Sequence, residues 1–195
     1  LVATRDQLTV EGWFKTSNTS NDQYIVDRRG GGGPNSYVIS IDAGSNKLKA
    51  RNYTGGTTTE MVSNVTVNDG KWHHFALTWD GDIAGNADSS KLYIDGKLDS
   101  QTANSGSMST SASLIYIGCK NDISDASFFD GAIDEIRVFA HPKTQAEIRA
   151  DMFQNGTLAT TTDLVGRWQF NEGTGSAVEG GTNVDAIIYS QATGS

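Results

Sequence analysis

Apolar and polar residues alternate with a period of two along most of this chain. In QLTVEGWFK (7–15), Leu8, Val10, Gly12 and Phe14 fall on one side and Thr9, Glu11 and Trp13 on the other. That pattern predicts a β-strand with one face on a core. QYIVDRR (23–29), SYVISIDA (36–43), NKLKARNY (46–53) and TTTEMVSNVTV (57–67) read as further strands, as do the histidine-bearing stretch inside DGKWHHFALTWDG (69–81), SLIYIG (113–118) and FFDGAIDEIRVF (128–139). SKLYIDGKLDSQ (90–101) reads as a hairpin, because Asp95-Gly96 suits a type I′ turn in which both residues take positive φ. Strands recurring about every ten residues predict an all-β, antiparallel sandwich.

One helix interrupts the series near 144–154. Thr144 and Glu147 have the spacing of a capping box and Gly156 supplies a stop, with Ile148, Met152 and Phe153 expected to pack the helix on the sandwich edge. DLVGRWQFNEGTGSAVEGGTNVDAIIYS (163–190) adds another strand and a loop. Residues 1–155 are therefore expected to form the sandwich. Residues 156–195 are expected to close it, with RWQF beside IDEIRVF, or to begin a following repeat.

Composition narrows the function classes. At 195 residues and 20.8 kDa, one domain with a proper core is expected. A net charge of −8 and a pI of about 4.7 repel phosphate backbones, so nucleic acid is not an expected partner. Cys119 is the single cysteine, which rules out an internal disulfide and a zinc–cysteine cluster. No run approaches the roughly 20 apolar residues of a membrane span, so no membrane insertion is expected. No signal-peptide pattern is read, and a start at Leu1 rather than Met leaves room for other domains of a longer chain.

Candidate chemistry is sparse. On a strand, His73 shares a face with Phe75, Leu77 and Trp79, whereas His74 shares the other with Trp72, Ala76 and Thr78. The two histidines therefore cannot ligate one metal from this strand, and architecture is the favoured reading over a metal or catalytic site. The only other histidine is His141. GGGG (30–33) leads to Pro34 and a strand, so it lacks the helix N-terminus of a phosphate cradle. Asp134 and Glu135 invite comparison with a glycosidase pair, but strand neighbours are expected on opposite faces. In DGDIAGNADSSK (80–91), Asp80, Asp82, Asn86 and Asp88 resemble a calcium loop, yet Lys91 stands where a bidentate glutamate belongs. The loop is read as a solvated hairpin connection with calcium as the alternative.

Taken in order, DGKWHHFALTWDG, KLYIDGKL, IYIG, FFDGAIDEIRVF and TQAEI resemble the laminin-G-like, pentraxin-related branch of the concanavalin A-like jelly rolls, over about residues 7–150. His74, Ala76, Thr78 and Trp79 resemble the pentraxin signature His-x-Cys-x-Ser/Thr-Trp, with Ala76 in the place of the disulfide cysteine. The resemblance implies a jelly roll of the disulfide-free, bacterial type. It also implies a calcium site at Asn121 and Asp122 with Asn35 as a third ligand, although Lys120 stands where an acidic ligand is expected. Tyr53 or Phe128 would offer a sugar a stacking face. The implied function is a non-catalytic recognition module on a secreted or cell-surface protein, binding a glycan or a surface protein with the help of calcium. The alternative is a structural or assembly domain of a surface array or virus-like particle; a glycosidase on this fold is a weaker third.

Overall fold

The computed structural model describes residues 7–29, 37–54, 57–83, 85–104, 114–121, 128–154 and 163–170, and the backbone of 186–188. Two six-stranded sheets face each other. The first sheet contains β1 (Gln7–Lys15), β6 (Trp72–Asp80), β7 (Ser90–Ile94), β8 (Lys97–Thr102), β10 (Ala132–Phe139) and β11 (Leu164–Trp168), in the order β11-β10-β1-β6-β7-β8. The second contains β2 (Gln23–Arg28), β3 (Tyr37–Asp42), β4 (Lys47–Thr54), β5 (Thr57–Thr66), β9 (Ile115–Ile117) and β12 (Ala186–Ile188), in the order β12-β9-β2-β3-β4-β5. Neighbouring strands run antiparallel except β12, which lies parallel to β9.

The period-two pattern is what makes this architecture. Leu8, Val10 and Phe14 of β1 and Phe75, Leu77 and Trp79 of β6 face Ile39, Ile41, Leu48 and Ala50 across one core. Burial of each such large side chain stabilises the fold by about 1.5–3 kcal/mol. Asp95 and Gly96 both take positive φ, 51° and 68°, and turn β7 tightly into β8. At the C-terminal end, β11 pairs with β10 through Ile136↔Trp168, and Trp168 is inserted into the core at 1% exposure.

Three local expectations need correction. His73 keeps to the core side of β6, with its ring 5.9 Å from that of Phe14, but it sits at the strand's beginning and is only partly buried, with Nε2 3.1 Å from Asp69 Oδ1 and Nδ1 3.0 Å from Asp95 Oδ2. The helix α1 (Gln145–Asp151) is shorter than expected and lies on the outer face of the first sheet rather than on its edge. Its capping box is formed by Thr144 and Glu147, and Ile148 packs on Ala76 and Tyr93. Met152 is buried, but Phe153 is 73% exposed. Gly156 lies outside the described residues.

The third correction concerns Asp134 and Glu135. The register of β1 on β10 slips between Glu11↔Arg137 and Trp13↔Asp134, and Glu135 takes a φ of 52°. This β-bulge sets two residues of β10 against one of β1 and breaks the alternation, so both carboxylates emerge on the outer side of the sheet. Gly12 lies at the bulge: a Cβ there would stand 2.3 Å from Ile136 Cδ1, so the missing side chain makes room for Ile136 to reach the core.

Candidate functional site

At the end of β2, Asp27 is fully buried and forked by Arg29, whose Nε lies 3.0 Å from each carboxylate oxygen while Nη2 contacts Oδ2. Burial opposes the charge of Arg29, but the hydrogen bond and charge of Asp27, together with Tyr24 and Tyr53, outweigh it and hold the guanidinium pKa above its ordinary value. The Tyr24 ring lies 5.4 Å beneath the same guanidinium. Asn121 closes this cluster from β9's exit. Its backbone N–H donates to Asp27 Oδ2 at 3.1 Å and its Nδ2 donates to the Arg29 carbonyl at 2.7 Å. Beside it, burial and the Asp27 charge push the Cys119 thiol up to about 11, which keeps it protonated. Thus Asn121 and the half-buried Tyr53 both meet around Arg29. Phe128 forms an isolated bridge to Cys119, next to the core residue Phe129. Asp122 and Asn35 lie outside the described residues.

The loop between β6 and β7 folds on its own side chains. Asp80 Oδ1 accepts from Gln7 Nε2 and from the Asp82 N–H, both at 3.1 Å, and Asp82 Oδ2 accepts from Gln7 at 3.0 Å. Asn86 Oδ1 accepts from the Asp88 N–H at 3.0 Å, and Asp88 pairs with Lys91 at 3.2 Å. These bonds close two short 3-10 turns, Gly81–Ile83 and Ala87–Ser89. Asp80 Oδ1, Asp82 Oδ2 and Asn86 Oδ1 are thus used in shaping the connection. Among the described residues, no three His, Cys, Asp or Glu side chains converge as a metal-binding group.

A second surface lies on the opposite sheet, where α1 meets β1, β6 and β10. Trp13, Trp72, Met152, Phe153, Asp134 and Glu135 line an open groove of about 340 Å³. It adjoins a lobe of about 480 Å³ that Asp95 and Arg149 also border. Trp13 pairs with His74 and Lys15 with Trp72, so the two tryptophans are diagonal neighbours on the same face, within reach of each other's rings. The Trp13 indole N–H donates to the Met152 carbonyl at 2.7 Å, and the Trp13 ring lies 5.7 Å from that of Phe153. Alternation already assigns Trp13 and Trp72 to the outer side. What the linear pattern lacks is any sign that α1 would fold back beside them and make a wall.

Behind the groove runs a buried ionic network. Lys143 reaches Glu11 at 2.9 Å and Asp151 at 2.8 Å, and Arg137 reaches Glu135 at 3.0 Å and the Asp151 carbonyl at 2.8 Å. Arg167 clamps Glu135 from β11 through both carboxylate oxygens. Burial raises the pKa of Asp134, and the charge of Glu135 adds to the effect. Burial, followed by the charges of Arg137 and Lys143, lowers His74 to about 3, so it is neutral near pH 7.

Among curated proteins, none is significantly similar in sequence. Solved structures are similar in fold. A candidate carbohydrate-binding protein from Bacteroides ovatus superposes with a TM-score of 0.69 at 15% identity, covering 88% of this chain and 47% of that one, so the chain spans about half its length. A heptameric SAP-like pentraxin from Limulus polyphemus gives a TM-score of 0.65 at 17% identity, over 92% of this chain and 82% of the pentraxin. The CBM40 domain of the Ruminococcus gnavus IT-sialidase, solved with α2,3-sialyllactose, gives 0.60 at 16% identity, over 76% and 83%. A family profile described as the concanavalin A-like lectin/glucanases superfamily, of the laminin G type, matches residues 1–149. With its two mostly antiparallel sheets and this match over most of its length, the chain belongs to the laminin G-type family of concanavalin A-like jelly rolls.

Proposed function

We propose that this domain is a non-catalytic carbohydrate-recognition module of a secreted or cell-surface protein, assisted by calcium at the Arg29–Asn121 end of the sandwich. One observation carries the reading. The bond from Asn121 to the Arg29 carbonyl joins strand exits 92 positions apart, so Arg29 and Asn121, which precede residues 30–36 and 122–127 in the sequence, lie side by side. Those two segments contain Asn35 and Asp122. With its Nδ2 bound to Arg29, Asn121 has Oδ1 left to face a cation. Asp27 is not a ligand here, because Arg29 and Asn121 occupy its oxygens.

Calcium takes about six to eight oxygen ligands, and vicinal sugar hydroxyls can replace water on such an ion. Tyr53, half-buried beside Arg29, supplies the stacking face for the sugar ring. The fold neighbours support a binding role by what they are: one was solved with sialyllactose, and another, the botulinum neurotoxin type C domain, is described as interacting with two ganglioside molecules. Among the described residues no helix is long and apolar enough to cross a membrane.

A glycan array with and without EDTA, combined with calorimetric titration of calcium, tests the proposal. Calcium uptake that Asp122→Ala and Asn121→Ala each weaken, together with EDTA-sensitive glycan binding, is expected. A protein that takes up no calcium and binds no glycan differently in EDTA overturns it and favours the structural or assembly reading.

A further inference from the structure

Enclosure sets the contacts of Lys143 apart from the other ion pairs of its kind. Lys49–Asp42, Lys71–Asp69 and Lys91–Asp88 all reach solvent, whereas the side chains of Lys143, Glu11 and Asp151 are each 0% exposed. Lys143 Nζ donates to Glu11 Oε1 at 2.9 Å and lies 2.8 Å from Asp151 Oδ2. The Phe139 ring, with its centroid 3.9 Å from the nitrogen, closes a further side. One amine and two carboxyl groups therefore meet where water does not compete for them.

The backbones that carry these groups are fixed beforehand. Glu11 lies within β1, opposite Ala76 on one side and Arg137 on the other. The Lys143 N–H donates to Thr9 Oγ1 at 2.8 Å, and the Asp151 carbonyl accepts from Arg137 Nη1 at 2.8 Å. Groups held about 3 Å apart in such a frame can react as if at effective concentrations of about 10⁵–10⁸ M. A condensation that free side chains do not undergo in water becomes an intramolecular step.

The two carboxyl groups are placed for different roles. The contact from Lys143 to Glu11 Oε1 is a directed hydrogen bond, while that to Asp151 Oδ2 is equally close but lies off hydrogen-bonding alignment. Glu11 is thus set to exchange protons with the nitrogen, and Asp151 to be approached by it. Burial raises the pKa of Glu11 and the Asp151 charge adds to the effect, against Lys143 and Arg137. Glu11 Oε2 is enclosed without a hydrogen-bond partner, where a proton costs less than a second bare charge. A carboxylic acid, a carboxylate and an ammonium together form a neutral set.

We infer that Lys143 and Asp151 condense into an internal isopeptide bond, with Glu11 carrying the protons. The Lys143 ammonium passes one proton to the Asp151 carboxylate, and the freed lone pair attacks Asp151 Cγ. Glu11 gives its proton to the departing hydroxyl, the Cγ–O bond breaks as the Nζ–Cγ bond holds, and the amide nitrogen returns a proton to Glu11. One water leaves, and no oxidant or cofactor is required. The ionic contacts described above are the reactants of this step. Because the bond closes only the segment from 143 to 151, it ties the approach to α1 to the helix's last residue and fixes the helix on the sheet.

Mass spectrometry of the whole chain tests this directly. The denatured protein is expected to be one water lighter than its sequence requires. Trypsin cuts after Arg149, between the two residues, so a digest should contain a branched peptide in which Lys143 and Asp151 hold the two halves together. A succinimide at an Asp-Gly step such as Asp95-Gly96 also loses one water, and the branched peptide distinguishes the two. Lys143→Arg, which keeps the cation but cannot condense, should have its full sequence mass. Glu11→Gln, which keeps both reacting groups, should also lack the branch. A wild-type chain of full mass, a water loss without the branch, or a branch through Glu11 overturns the inference, and none of these readouts depends on the variants folding. A branch that persists in Glu11→Gln overturns the role given to Glu11.

Discussion

Lys143 Nζ lies 2.9 Å from Glu11 Oε1 beneath the segment that leads into α1, and neither side chain reaches solvent. The same ammonium is 2.8 Å from Asp151 and 3.9 Å from the centroid of the Phe139 ring, so one cation serves two buried carboxylates and a π face. Removing one partner of such a network leaves uncompensated charge in a dry place. Lys143→Met is therefore expected to cost about 3–5 kcal/mol in urea unfolding. Adding Glu11→Gln should recover part of that loss, and a Lys143→Met protein as stable as the parent would show that water already reaches the network.

His74 makes stability depend on pH. Its pKa is about 3 in the fold against 6.5 as a free side chain, because burial and then Arg137 and Lys143 oppose the imidazolium, and the Trp13 ring edge packs against it. Between these values the unfolded chain binds a proton that the folded chain refuses. Stability attributable to His74 is thus full above about pH 6.5 and declines as pH falls toward 3, by up to about 1.4 kcal/mol per pH unit. Comparing wild type with His74→Gln at about pH 7 and about pH 4 isolates this slope. Equal pH slopes in the two proteins would refute it.

Gly12 is expected to tolerate no side chain while Ile136 remains. Gly12→Ala places a Cβ 2.3 Å from Ile136 Cδ1 and should destabilise by about 1–3 kcal/mol. Ile136→Val removes the offending Cδ1, so the double variant should lose less than the sum of the single ones. Simple additivity in denaturant melts would mean that the bulge relaxes without meeting Ile136.

The bulge puts Asp134 and Glu135 on one side, and no hydrolase activity is expected from the pair. Arg167 donates to both oxygens of Glu135 at 3.0 Å and Arg137 adds a third bond at 3.0 Å, so this carboxylate is clamped and unavailable as a nucleophile. Retaining hydrolysis requires one carboxylate free to attack and a second about 5 Å away to donate a proton. No reducing ends should be released from a polysaccharide panel, with wild type and Asp134→Asn indistinguishable. Release that Asp134→Asn abolishes would establish catalysis.

Much of the fold was legible in the linear pattern because burial in a sandwich repeats every second residue. Val10, Phe14, Leu77 and Trp79 signal the core by spacing alone, Asp95-Gly96 signals a turn through its positive φ, and Thr144 with Glu147 signals a cap through local hydrogen bonds. Each is a property of neighbours in sequence. Tertiary structure decided what depends on residues far apart. Alternation assigned His73 to the core side, where its ring meets Phe14, but its position at the strand's beginning let Asp69 and Asp95 claim its nitrogens. Alternation separated Asp134 from Glu135, but the bulge at Gly12 brought them together. Asn121 could be singled out by the family resemblance of its loop, whereas its attachment to Arg29 required strands 92 positions apart to end side by side. The groove is the fullest case: Trp13, Trp72 and Phe153 come from two strands and a helix end, and the packing of Ile148 on Ala76 and Tyr93, with the Trp13 bond to the Met152 carbonyl, sets the helix where those rings can share a surface.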